Sequence, residues 1–463
     1  MSDVSAVRTT GIYCLPECGA RPLAKNVERF PSAAAAEAAG YRACLRCRPY
    51  RREQQAGAIG PDLVCRAVQL VLDGALDEGR TEQDLGTHVG VSARHLRRLF
   101  AEHLGASPDQ LARSRRAHFA RRLLDDSDLT VAEVALASGF GSVRQLGRSC
   151  RDVFGAPPTA LRARRRAKDR LAADGGLILR LPFEEPLAFE RMLAYLSGRA
   201  IVGVESVSGG TYRRTVVIDG DAGVIELSRA AEEAALLLRV HLPHWEGLIH
   251  HAGRARRIFN LDTELAGAHR RLAEDPLVGP LVRATPDLRP AGTWDPFELG
   301  VRAIVGQQVS VAGANRLIAR LAASAGTPVA GLEAFGLTHL FPTPPALAAA
   351  DLSGVGLTTA RAQTIRRFAE AVADDRLALD RNRSLDDLVE SIVEIEGLGP
   401  WTAHYIAFRL GYADAFPASD LGLRRALETL TGGPVPTREA ERLAEPWRPN
   451  RSLAAALLWA SGT

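Results

Sequence analysis

The sequence predicts a multidomain, mainly α-helical protein in four parts. These are a small cysteine-bearing α+β module over residues 1–55, two helix-turn-helix units in tandem over 60–168, a mixed α+β segment over 177–288, and a helical bundle with a glycine hairpin over 289–463. Three observations predict this. A chain of 463 residues exceeds what one hydrophobic core usually organises. Four of the six cysteines fall in two tight pairs within the first 47 residues. Apolar residues recur at helical spacing before residue 168 and again beyond 295, while alternating, strand-like text is confined to the stretch between.

Composition narrows the class. An apolar fraction of 46% with 24% charged residues fits folded protein, and no uncharged apolar run is long enough for a membrane span. The N-terminus carries Asp3 and Arg8 without an apolar block, so no signal peptide is expected and the cytoplasm is the expected compartment. Charge is uneven: residues 1–170 hold 28 Arg/Lys against 19 Asp/Glu, and the remainder 30 against 35. A basic front half suits a binder of phosphate backbone, although a solvated surface explains it equally well.

The cysteines stand as Cys14-x3-Cys18 and Cys44-x2-Cys47. Two close pairs can converge on a tetrahedral sulfur site for Zn²⁺, and spacing alone favours a purely structural ion. The surrounding text, Arg8-Thr-Thr-Gly-Ile-Tyr-Cys14, Cys18-Gly-Ala-Arg-Pro22 and Tyr41-Arg-Ala-Cys-Leu-Arg-Cys-Arg-Pro49, closely resembles the N-terminal domain of the Ada response protein. That resemblance implies zinc on all four sulfurs and a methyl group accepted from DNA methylphosphotriesters by Cys14. It also implies phosphate contacts from Thr10 and Arg21, with Arg46 a further candidate.

Thr81 to Gly90 followed by Val91 to Phe100 fits a helix-turn-helix, with Leu85, Val89, Val91, Leu96, Leu99 and Phe100 facing the packed side and Ser92 capping the second helix. That helix presents Arg94, His95, Arg97 and Arg98 outward, a set suited to the major groove. A second copy runs from Thr130 to Phe154 and exposes Arg144, Gln145, Arg148 and Arg151. The tandem resembles the DNA-binding domains of the AraC family; an Arg-rich helical bundle is the plainer reading.

A basic run from Arg162 to Lys168, then Asp174-Gly-Gly176, reads as a linker. Beyond it, Leu177 to Leu181 and Thr215 to Ile218 read as strands, and Asp219-Gly220 turns the second into a returning strand over 221–227. Residues 396–402, Glu-Gly-Leu-Gly-Pro-Trp-Thr between helical segments, form a helix-hairpin-helix signature. Gly397 and Gly399 let the backbone turn so that amides at a helix N-terminus can hold a DNA phosphate. By itself such a hairpin is a weak signal. Together with Phe416 to Arg424, which places Asp420 after a short loop, and with Ile304 to Ser310, it closely resembles the AlkA-type 3-methyladenine DNA glycosylases over residues 177–463. An isolated Asp420 reads as a helix cap; the resemblance makes it the catalytic acid, makes Trp401, Tyr405 and Trp459 the aromatics that stack the damaged base, and puts Gln308 where some relatives carry an apolar wedge. Relatives that also cut the strand use a lysine where this chain has Trp401, and the only lysines here are Lys25 and Lys168, so base release without strand cleavage is expected.

The expected partners are double-stranded DNA, both alkylated and promoter, and RNA polymerase, with Zn²⁺ as the cofactor, a monomeric chain and no membrane. A transcription factor with a catalytically silent C-terminal half is the rival reading. No segment resembles the Pro-Cys-His-Arg site that repairs O6-alkylguanine, and Cys65 and Cys150 read as buried small hydrophobes.

Overall fold

The computed structural model describes residues 4–20, 22–52, 62–77, 79–166, 169–171, 176–263, 265–381 and 383–462. Arg21 and, within the linker text, Lys168 and Asp174 lie outside them. The chain forms two compact units: Met1–Phe183 with Ala234–Gly253, and Glu184–Glu233 with Arg254–Thr463. The segment 177–288 therefore contributes to both. No described helix is long and apolar enough to cross a membrane.

In the first unit, a four-stranded sheet orders Val27–Phe30, Val4–Val7, Ile12–Cys14 and Arg42–Ala43. The last pairing is parallel, with Tyr13 opposite Ala43, so Cys14 and Cys44 come to adjacent strand ends. The alanine run at 33–36 is buried on the short helix Ala33–Ala38, which Ser32 caps. Both helix-turn-helix units form as expected. Glu82–His88 and Ala93–Leu104 make the first, Val131–Ala137 and Val143–Phe154 the second, and Pro108–Asp126 runs between them. Ser92 Oγ accepts from the His95 amide at 3.2 Å, the expected cap. Leu85, Val89, Leu96 and Phe100 are buried together, with Val91 and Leu99 packed at the edge.

Polar groups as well as apolar packing of Ala34 join the cysteine module to the helical part. Arg48, 8% exposed, donates to both carboxylate oxygens of Asp169 at 2.6 and 2.8 Å and to Asp125 at 3.0 Å. Tyr13 and His118 meet on one oxygen of Glu37, at 2.6 and 2.7 Å. Cys150 is buried, and burial pushes its thiol up to about 12, whereas Cys65 is only half-buried, short of the expected core position.

In the second unit, Glu205–Ser208, Thr211–Ile218 and Asp221–Arg229 pair antiparallel in sequence order, and Asp219-Gly220 makes the tight turn. The helical bundle centres on Pro296–Gly306, started by Asp295. A closed charge network lies along it: Arg214 meets Glu298 at 2.6 Å, and Arg302 meets Glu298 at 2.7 Å as well as Glu205. Burial alone would raise the carboxyl of Glu205, but Arg302 and Arg214 outweigh it and hold it down at about 2. Two acids and two bases cancel, so the wall they form is rigid without net charge.

Candidate functional site

The hairpin joins helices Leu385–Val393 and Pro400–Leu410. Gly397 sits at φ +96, and an added Cβ there would stand 2.1 Å from Thr364 Oγ1. Gly399 is the N-cap of the second helix at φ −116, with open space where a Cβ would go. Gln307 ties the hairpin down through Thr402 Oγ1 at 3.0 Å and the Gly397 carbonyl at 3.3 Å. Its neighbour Gln308 is exposed at φ +57, outside the cavity lining; Val309 and Val311 are the residues of this turn that line it.

Helical spacing puts Trp401, Tyr405 and Arg409 on one face of Pro400–Leu410. The rings of Trp401 and Tyr405 stack at 5.5 Å with 9° between planes, and Trp459, from helix Arg451–Ser461, meets Tyr405 edge-on at 6.4 Å. Asp420 caps helix Leu421–Thr431, its Oδ1 accepting from the Leu423 amide at 3.0 Å. The same carboxylate also takes the indole N–H of Trp459 on Oδ1 at 2.8 Å and that of Trp401 on Oδ2 at 2.9 Å. Capping and the aromatic site are thus one arrangement. It accepts three hydrogen bonds, so its orientation is fixed before any ligand arrives. Gly422 leaves room for it: a Cβ there would lie 3.1 Å from Asp420 Oδ1 and 3.2 Å from Trp459 Cδ1.

These residues line a cavity of about 350 Å³. That volume lies in the range of small-molecule pockets. Its far end was not found from the sequence. Tyr195, Arg199 and Arg409 line it together with the charge network. The available signal was the four-residue spacing of Tyr195 with Arg199, just past the end of its helix, and of Tyr405 with Arg409 within one.

The four cysteine sulfurs lie within 4.8 Å of one another. Zinc–sulfur bonds of ~2.3 Å place sulfurs ~3.8 Å apart in a tetrahedron, so the donor set fits zinc with small adjustment. Within the metal-free cluster one thiol gains at the expense of its neighbours: hydrogen bonds, that with Cys14 first, hold the Cys47 thiol down at about 5, and the same contact with Cys47 pushes the Cys14 thiol up. Cys14 is buried at 7% exposure, while the other three are half-buried. Thr10 and Arg46 are exposed. On the helical part, Arg94, Arg97, Arg98, Arg144 and Arg148 are all exposed, with Arg97 paired to Glu82 and Arg98 lying 2.9 Å from His95.

Four domain families match along the chain. They are the metal binding domain of Ada over 3–50, a helix-turn-helix domain over 85–164, the AlkA N-terminal domain over 178–295, and the HhH-GPD superfamily of base excision DNA repair proteins over 301–449. A protein of Mycobacterium tuberculosis (strain H37Rv), named a probable bifunctional transcriptional activator/DNA repair enzyme AlkA, is 38% identical across 98% of this chain and 92% of its own. DNA-3-methyladenine glycosylase 2 of Escherichia coli (strain K12) is 30% identical over 60% of this chain and 95% of its own. Among solved structures, the 3-methyladenine DNA-glycosylase of Archaeoglobus fulgidus shares the fold with a TM-score of 0.54 at 22% identity, covering 61% of this chain and 97% of that one. With four domains in this order and a relative alike almost from end to end, the chain belongs to the family of bifunctional AlkA transcriptional activator/DNA repair proteins.

Proposed function

We propose that the C-terminal half, 289–463 with the α+β segment 177–288, is a monofunctional DNA glycosylase that releases 3-methyladenine-type alkylated bases. The observation that carries this reading is the Asp420 carboxylate, fixed by the indoles of Trp401 and Trp459 at an aromatic cavity. An alkylated purine everted from the duplex carries a positive charge that suits the faces of Trp401, Tyr405 and Trp459. As the bond from the sugar to the base breaks, its electron pair leaves with the base, which becomes neutral. Asp420 stabilises the oxocarbenium-like sugar and orients the water that adds to it, and the water's proton passes to solvent. Gly397 and Gly399 would hold a phosphate near the everted nucleotide. A lysine for Schiff-base chemistry is absent beyond Lys168, which supports release without strand cleavage.

The N-terminal half is read as a methyl acceptor, residues 1–55, joined to a promoter-binding regulator, residues 60–168. Zinc held by Cys14, Cys18, Cys44 and Cys47 would keep their sulfurs as thiolates at neutral pH. Cys14 attacks the methyl carbon of a DNA methylphosphotriester; the carbon–oxygen bond breaks and its pair stays on the phosphate as an ordinary diester. Thr10, Arg21 and Arg46 would contact that phosphate, and Arg94, Arg97, Arg98, Arg144 and Arg148 the promoter. We place the chain in the cytoplasm as a monomer, acting on promoters with RNA polymerase.

The test is release of free 3-methyladenine from alkylated duplex by wild type and by Asp420→Asn. Release by wild type, and loss of at least about a hundredfold in the variant, is expected. No release by either leaves a regulator with a silent C-terminal half.

A further inference from the structure

We propose that Tyr195, held by Arg409, donates a hydrogen bond to the departing base and thereby matters chiefly for bases that leave without a positive charge. The proposal rests on the glycosylase reading above.

The geometry begins with Arg409, 9% exposed, all three of whose guanidinium nitrogens donate. Its Nε donates to the Ala291 carbonyl and its Nη2 to the Gly292 carbonyl, both at 2.7 Å. Its Nη1 donates to the Tyr195 hydroxyl at 3.0 Å and to the Tyr405 hydroxyl at 3.2 Å. Both phenol oxygens therefore accept from one anchored cation, and a phenol oxygen that accepts keeps its own O–H to give away. The neighbouring Tyr405 hydroxyl also helps to lower the Tyr195 phenol. Each phenol thus keeps an O–H for the cavity that both rings line; the Tyr405 ring is already stacked on Trp401, and the Tyr195 O–H is the one assigned to the base. Arg199 lies over the Tyr195 ring, 3.9 Å from its centroid. Burial alone would push this phenol up, but Arg409 and Arg199 outweigh it and hold it below its ordinary value, which makes it a stronger donor. Nothing in the stacking of an alkylated purine requires such an end wall. A positive, donating surface gains nothing from a base that is itself cationic.

The two classes of leaving base need different help. An N-alkylated purine enters charged and departs neutral, so no negative charge develops on it. A neutral base with a carbonyl acceptor, such as hypoxanthine, takes the electron pair of the broken bond and becomes transiently anionic. That charge spreads to its acceptor atoms, where a fixed O–H binds more tightly in the transition state than in the ground state. Water adds to the sugar, its proton ends on the released base, and Tyr195 keeps its own.

The experiment compares full-length wild type with Tyr195→Phe, which removes only the hydroxyl. Single-turnover release is measured from one duplex bearing hypoxanthine and another bearing 7-methylguanine. The rate for hypoxanthine relative to that for 7-methylguanine is expected to fall at least about tenfold in the variant. An equal loss on both substrates would mean that the hydroxyl only packs the pocket, and would overturn the proposal. So would an unchanged ratio, or a wild type that releases 7-methylguanine but no hypoxanthine. Release of neither base by wild type would overturn the glycosylase reading itself, and this inference with it.

Discussion

Substitution of the two hairpin glycines should separate folding from the proposed DNA contact, because the backbone demands glycine at one and not at the other. At Gly397 the φ of +96 is costly for any side chain, by about 1–2 kcal/mol. The added methyl would also meet Thr364 at 2.1 Å. Thr364 cannot swing aside freely: it is β-branched, 6% exposed, and its hydroxyl donates to the Ala360 carbonyl at 3.1 Å. Overpacking adds about 1–3 kcal/mol. Gly397→Ala should therefore lose roughly 3 kcal/mol of stability, a melting shift of roughly 6–12 °C for a unit of this size. Gly399→Ala meets no atom and needs no unusual φ, so its cost should stay below about 1 kcal/mol, that of a poorer helix N-cap. Its methyl would, however, stand where a phosphate must approach the helix amides. We expect the duplex concentration for half-maximal single-turnover release of 3-methyladenine to rise about tenfold, or about 1.4 kcal/mol, at fixed salt. Wild-type behaviour of Gly399→Ala in that assay would refute the phosphate contact. An unshifted melting curve for Gly397→Ala would refute the turn itself.

Asp126 should leave a mark on stability against pH. Burial pushes its carboxyl up to about 6 from 3.8 even though Arg51 stands 2.8 Å away, so the folded state holds this proton more tightly than the unfolded chain does. Its stabilising share is complete below the ordinary carboxyl range and is lost as pH rises towards 6. Against Asp126→Asn, urea unfolding of wild type should weaken by up to about 3 kcal/mol between pH 4 and 7, and no trend would remove the argument. For the methyl acceptor, fragmentation mass spectrometry of the chain after exposure to methylphosphotriester DNA should place one methyl on Cys14. A methyl found on half-buried Cys44 instead would transfer the role to the more accessible sulfur.

What could be read from the sequence is what short spacing encodes. Cys14 and Cys18, Cys44 and Cys47, and Trp401 and Tyr405 each lie within one turn or loop, so local geometry alone brings the members of each pair together. Even Asp420, 19 residues from Trp401 and 39 from Trp459, stood in a motif whose order carried the resemblance. Taken in isolation, however, the sequence offered a choice between helix cap and catalytic acid; the structure shows the cap, with two indole N–H groups on the same carboxylate. A cap lends the carboxylate a backbone amide and an orientation, and these are what a charge facing a sugar needs. The far end of the cavity was not legible because its pairing is tertiary. Tyr195 and Arg409 are 214 residues apart, and nothing in either neighbourhood marks the other. The docking of Arg48 onto Asp169 across 121 residues was hidden for the same reason. An arginine in a basic chain looks like surface until the fold shows which acids surround it. Sequence spacing thus pointed to the candidate reacting groups, while the residues proposed to sort one substrate from another sit where distant segments meet. In this protein, specificity should therefore respond to substitutions that leave every recognisable motif intact.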